Sequence, residues 1–169
     1  MKAMAHATAA LALGFATANF AVPVAQAQAG SENRSILKSA AVDYLFPEQV
    51  TIPAGKPSDV ALHFRVAPGL HINSHVPKEE FLIPASFTIP EGAGVSLQSA
   101  TYPDGAEFIL PADPSTKLSV YTGEFVIQAR VVAKAGDHLV EAKLRFQACD
   151  ETVCLPPKTI PVTIDVIGN

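Results

Sequence analysis

"EFVIQARVVAKAGDHLVEAKLRFQA", residues 124–148, is two alternating runs separated by a glycine-containing turn. In the second run Ala142, Leu144, Phe146 and Ala148 share one parity, and Glu141, Lys143, Arg145 and Gln147 share the other. Successive side chains of an extended chain point to opposite faces, so this pattern predicts a strand with one buried and one solvated face. The first run behaves the same way, and "AKAGD" (133–137) supplies the break between them.

The same period recurs in both directions along the chain. "DVALHFRV" (59–66) alternates Val60, Leu62, Phe64 and Val66 with polar or small residues, and "TIPVTIDVI" (159–167) aligns Ile160, Val162, Ile164 and Val166. Fourteen prolines and ten glycines punctuate the sequence, with turn signals at "PAGKPSD" and "PEGAG". No stretch after residue 40 sustains a helical stripe. Seven or more short strands in one domain predict an all-β, antiparallel β-sandwich, with a closed small barrel as the alternative. An antibody-like domain is disfavoured, because Trp is absent and the two cysteines lie too close in sequence to pin two sheets together.

Residues 1–29 read as an export signal: Lys2, an Ala/Leu/Phe-rich stretch, then small residues in "AQAQA" suited to cleavage after Ala27 or Ala29. Thr8, Thr17, Asn19 and Pro23 interrupt the apolar run, which makes it a poor permanent membrane span. Residues 30–40 form a polar lead-in, and 41–169 form the domain. A periplasmic location follows as an expectation, with no stable membrane insertion once the signal is removed. Without Lys2 the chain carries 11 basic against 16 acidic residues, a net charge near −5. No basic stripe is present, so nucleic acid is not an expected partner.

The two cysteines, Cys149 and Cys154, flank "DETV", a four-residue connection of common hairpin length. If the alternation holds, Cys149 points away from the core, and the pair faces across the mouth of a hairpin, ~4.5–5.5 Å apart at Cα. A bridge closing so short a loop stabilises little, about 2 kcal/mol. It is a weak staple and a reachable couple, and both a structural and an exchanging disulfide remain open at this point. Asp150 and Glu151 disfavour a further negative charge, so the thiolate fraction is expected to be small unless Lys158 or a partner compensates. Pro156 and Pro157 cannot donate ladder hydrogen bonds, so the returning strand is interrupted there. His63, His71 and His75 are the candidate metal ligands by residue type. In an extended segment the last two stand ~13 Å apart, so no metal site is expected.

"FQACDETVCLPPKTIPV" (146–162) closely resembles the N-terminal periplasmic domain of DsbD-type thiol:disulfide interchange proteins. "GLHINSHVPKEEFLIPASFTIPEG" (69–92) and "YPDGAEFILPADPSTKLSVYTGEFVIQARV" (102–131) resemble other stretches of that family, in the same order. The resemblance implies an immunoglobulin-like sandwich whose cysteines shuttle electrons, without cofactor or metal. It implies thioredoxin-fold periplasmic partners, cytochrome c biogenesis among the processes served, and a membrane electron donor on a separate chain. Cys149 and Cys154 carry over to the redox pair, with Cys154 forming the mixed disulfide and Cys149 resolving it. The family shields its pair with an acidic-acidic-Phe cap. Of "EEF" (79–81) and "AEF" (106–108), the second has the matching position, making Glu107 and Phe108 the cap candidates, with ordinary packing of Phe108 as the alternative. Tyr121 is a further candidate for lining the site, with core packing as its alternative. The rival to the whole functional reading is a non-catalytic sandwich that binds a partner and keeps an inert bridge.

Overall fold

The computed structural model describes residues 40–45, 49–111 and 113–169; the expected export signal (1–29) and nearly all of the expected lead-in (30–40) lie outside the described residues. The described chain forms twelve strands: β1 (Val42–Leu45), β2 (Gln49–Ile52), β3 (Ser58–Val66), β4 (His71–Asn73), β5 (Ser86–Thr88), β6 (Val95–Thr101), β7 (Ala106–Leu110), β8 (Asp113–Tyr121), β9 (Glu124–Ala133), β10 (Gly136–Phe146), β11 (Ala148–Cys149) and β12 (Lys158–Gly168). No described helix is long and apolar enough to cross a membrane.

Three four-stranded sheets result, ordered β1-β3-β9-β6, β2-β12-β10-β5 and β11-β4-β8-β7. The first two pack face to face. Val60, Leu62, Phe64 and Val66 of β3 and Phe125, Ile127, Ala129 and Val131 of β9 share one core with Val140, Ala142, Leu144 and Phe146 of β10 and Val162, Ile164 and Val166 of β12. These are the residues that the two-residue period aligns, and burying each large side chain contributes about 1.5–3 kcal/mol. The fold is therefore all-β, an immunoglobulin-like β-sandwich. β1, β6, β2 and β5 remain edge strands, so the sheets are open and the closed-barrel alternative does not hold.

Two features depart from a purely antiparallel sandwich. β2 runs parallel to β12, with Gln49 opposite Asp165. The "AKAGD" turn does not close a hairpin, because β9 and β10 belong to different sheets and the turn carries the chain across the core. Gly136 takes φ 107° there, a conformation that a Cβ would penalise.

The third sheet positions the cysteines. β10 stays in the sandwich through Phe146, which pairs with Lys158, and after Gln147 the chain joins β4 as β11. On the return, Pro156 and Pro157 lie between the cysteine loop and β12, where the chain passes back to the sandwich sheet. Residues without an N–H suit that transition, since no ladder bond is lost there.

Candidate functional site

The four residues Asp150–Val153 turn the chain between the cysteines. Asp150 N–H donates to Val153 O (3.0 Å), and Leu155 N–H donates to Ala148 O (2.8 Å). These bonds bracket Cys149 and Cys154, making them a non-hydrogen-bonded antiparallel pair, the arrangement in which opposed side chains come closest. Their Cα atoms stand 3.9 Å apart, nearer than the spacing predicts, and the sulfurs form a disulfide. The Asp150 carboxylate holds the turn by accepting from Thr152 N–H (2.7 Å), Thr152 Oγ1 (2.8 Å) and Val153 N–H (2.8 Å). Those bonds, from Thr152 and Val153 backbone first, hold its pKa below the ordinary carboxylate value.

The two half-cystines differ sharply in exposure. Cys154 is exposed, whereas Cys149 is only 1% exposed. The expectation that Cys149 points away from the core needs correction in its consequence: facing outward does not leave it in solvent. Its neighbour Ala148 packs into the main core with Ile72 and Tyr121, while Cys149 lies outside that cluster. The third sheet thus has its own covered outer face, where Leu118 and Val120 of β8 pack with Leu82, Phe108 and Leu110.

Phe108 belongs to that cover. It sits on β7 opposite Leu118, and its ring lies 4.3 Å from the ring of His71. His71 in turn is the cross-strand partner of Cys149. Phe81 of the competing "EEF" segment is 78% exposed and shields nothing. Glu107 is exposed and pairs with Lys117 (3.0 Å) and Lys78 (3.3 Å), which lower its pKa, Lys117 foremost. It anchors the β7–β8 hairpin to the 74–85 loop rather than meeting the cysteines. Gly105 precedes β7 where a Cβ would run into the Ser119 and Ser74 side chains, so only glycine lets this hairpin sit so close.

Tyr121 is not a lining residue. It faces the opposite side of β8, 4% exposed, stacked 4.9 Å from Phe125. Its hydroxyl donates to Pro103 O and accepts from His75 N–H, both at 3.0 Å. Counting along β8 places Tyr121 with Ile72, its register partner, on the core face.

Two residues join the site that sequence reasoning did not place there. Gln147 knots the sheet switch: Oε1 accepts from Asn73 Nδ2 (3.2 Å) and Ile83 N–H (3.4 Å), and Nε2 donates to Leu155 O (3.3 Å). It fixes the residue after Cys154 to the loop that follows β4. The Gln just ahead of the first cysteine was the available signal. His71 is the second. It is 2% exposed, and burial lowers its imidazole pKa below the ordinary value, with the Asp150 carboxylate opposing. Its Nε2 and Asn73 Oδ1 are the buried side-chain polar atoms without a hydrogen-bond partner among the described residues. His71 and His75 separate, since the His75 ring stacks 3.8 Å from Tyr102 and its Nδ1 meets Ala85 O. Among the described residues no group of three His, Cys, Asp or Glu is arranged to hold a metal ion.

Comparison with solved structures finds the Neisseria meningitidis DsbD n-terminal domain in the reduced form, at 20% identity and TM-score 0.45, covering 68% of this chain and 82% of that one. The N-terminal periplasmic domain of ScsB from Proteus mirabilis matches at 14% identity and TM-score 0.49, covering 73% of this chain and 44% of that one. No curated protein sequence matches. The family described as "Thiol:disulfide interchange protein DsbD, N-terminal" matches residues 41–165, which is most of the sequence and includes both cysteines. The chain belongs to the family of thiol:disulfide interchange protein DsbD N-terminal domains.

Proposed function

We propose that this chain is a periplasmic thiol–disulfide exchange domain, exported with removal of residues 1–29, that passes reducing equivalents between thioredoxin-fold proteins through Cys149 and Cys154. A membrane electron donor would feed it. The observation that carries this reading is the asymmetry of the disulfide, one half-cystine exposed and the other covered. An incoming thiolate meets Cys154, the Cys149–Cys154 bond breaks, and its electron pair leaves on Cys149 Sγ. A second thiol of the donor then attacks its own sulfur in the mixed disulfide and frees Cys154. Running the same steps backward hands the electrons to the next protein. Phe108 serves as the cover over the Cys149 side, and family membership supports the exchange chemistry in general.

Trapping tests the roles. With Cys149→Ser, Cys154 should capture a thioredoxin-fold protein covalently in the periplasm; with Cys154→Ser, the covered Cys149 should capture none. If the oxidised, folded protein resists strong dithiol reductants, the relay reading fails. A reduction potential below about −300 mV would point the same way, toward an inert structural bridge.

A further inference from the structure

The outer face of the third sheet holds a group that the exchange chemistry above does not use. His71 stands directly opposite Cys149 in the β4–β11 register. Asn73 N–H donates to Gln147 O (3.3 Å), so Asn73 and Gln147 form a hydrogen-bonded pair, and His71 and Cys149, two residues along, form the next. Opposed side chains of such a pair lie on the same face, Cβ atoms ~4.5–5.5 Å apart. The flanking pair, Ile72 and Ala148, packs into the main core, and neither His71 nor Cys149 does, which places both on the outer face. There His71 Nε2 is buried and unpartnered. The ring also lines a cleft of about 540 Å³ with Phe108, Leu70, Arg65, Glu124 and Glu151, which gives it a path to solvent.

A buried acceptor left empty beside a disulfide gains a natural partner only when that disulfide opens, because a reduced Cys149 carries a proton. Resting on the exchange reading above, we propose that His71 Nε2 is the proton acceptor for the Cys149 thiol when that thiol resolves a mixed disulfide held by Cys154. In this step the Cys149 S–H proton passes to Nε2 and Cys149 Sγ attacks Cys154 Sγ. The Cys149–Cys154 bond forms, the bond from Cys154 to the partner's sulfur breaks, and its electron pair leaves on the partner as thiolate. That thiolate takes a proton from the His71 imidazolium or from the cleft water. The dithiol is oxidised by two electrons and the partner's disulfide is reduced by two.

The surrounding charges suit a group that must take up a proton briefly. Asp150 and Glu151 on the cysteine loop favour the imidazolium. Arg65 on β3 opposes it, but its guanidinium is engaged by Glu124 of β9 at 2.6 Å. Glu107, next to Phe108, is already occupied by Lys117 and Lys78. Desolvation keeps the resting imidazole neutral and so able to accept.

The test isolates the resolving step with a chemical partner. The reduced full-length chain, as processed in vivo, is mixed in stopped flow with an aromatic disulfide (dithiobis-nitrobenzoate). The exposed Cys154 captures one nitrothiobenzoate, and its release by Cys149 is followed by absorbance across pH. Wild-type release should fall on acidification through the imidazole's titration. In His71→Phe and His71→Gln it should be about 100-fold slower at neutral pH, recovering only as the thiol ionises unaided near pH 8.5. Variants that fold and oxidise normally but keep the wild-type rate and pH profile overturn the proposal. Should both variants fail to fold, NMR titration of His71 in the wild-type chain decides. Its pKa should fall when the disulfide is reduced, because the thiol then donates to the neutral ring, and no change overturns the proposal. Exchange with a thioredoxin-fold dithiol protein, run in parallel, separates the two readings. His71-dependent release without such exchange supports the role of His71 and removes the relay, whereas exchange with His71-independent release does the reverse.

Discussion

Replacing each cysteine in turn by serine should produce unequal losses of stability. Both variants lose the same bridge, which closes the loop from Cys149 to Cys154, a sequence separation of 5. Chain entropy puts the loss of so short a closure at about 2 kcal/mol at 25 °C. Beyond that common loss the two positions diverge. A hydroxyl at the exposed position 154 is hydrated in both folded and unfolded states and adds about nothing. A hydroxyl at position 149, where the native residue is 1% exposed, must leave water beside an apolar cover and adds about 1–3 kcal/mol. Cys154→Ser should therefore cost about 2 kcal/mol and Cys149→Ser about 3–5 kcal/mol. Urea titrations monitored by far-UV circular dichroism would measure both, with the reduced wild type as the reference that cancels the bridge. Against that reference Cys154→Ser should be nearly neutral, and Cys149→Ser should retain a deficit. Equal losses in the two variants would refute the buried–exposed asymmetry, and with it the assignment of Cys154 as the thiol that meets partners.

Other expectations follow from the same geometry. Phe108→Ala removes a half-buried ring that covers His71, an opening worth about 1–2 kcal/mol, and should speed reduction of the disulfide by dithiothreitol about tenfold; an unchanged rate would show that the ring is not a shield. Gln147→Leu strips the bonds to Asn73, Ile83 and Leu155 and should cost about 2–3 kcal/mol in chemical denaturation, with faster hydrogen exchange at Ile83 N–H; a loss near zero would mean the knot is dispensable. His71 is held below its ordinary pKa by burial, so below about pH 6.5 the unfolded chain binds a proton that the folded chain does not. That contribution therefore falls as pH drops from about 6.5 toward the folded-state value, by at most about 1.4 kcal/mol per pH unit. Thermal melts of His71→Phe should show a shallower decline between pH 7 and pH 5, and parallel slopes would contradict it.

The strands themselves were legible from the chain alone. The parity of Val60, Leu62, Phe64 and Val66, and of Ala142, Leu144 and Phe146, follows from strand geometry, and in the structure those residues fill the core. The cysteine spacing likewise predicted a four-residue turn with the pair opposed, because only local chain geometry is involved. Parity assigns a residue to a face, however, and says nothing of what covers that face. The parity of Cys149 faces it outward, yet it is buried, and its cross-strand neighbour His71 lies against Phe108 of β7, remote in sequence. Tyr121 lies in the core because β8 joins β4 in a register that no local pattern encodes. His71 meets Cys149 for the same reason: their contact depends on how β4 and β11 pair across a long stretch of intervening chain. Local periodicity determined the elements and their apolar sides, while long-range pairing decided which thiol is shielded, which is offered, and which imidazole stands beside the hidden sulfur.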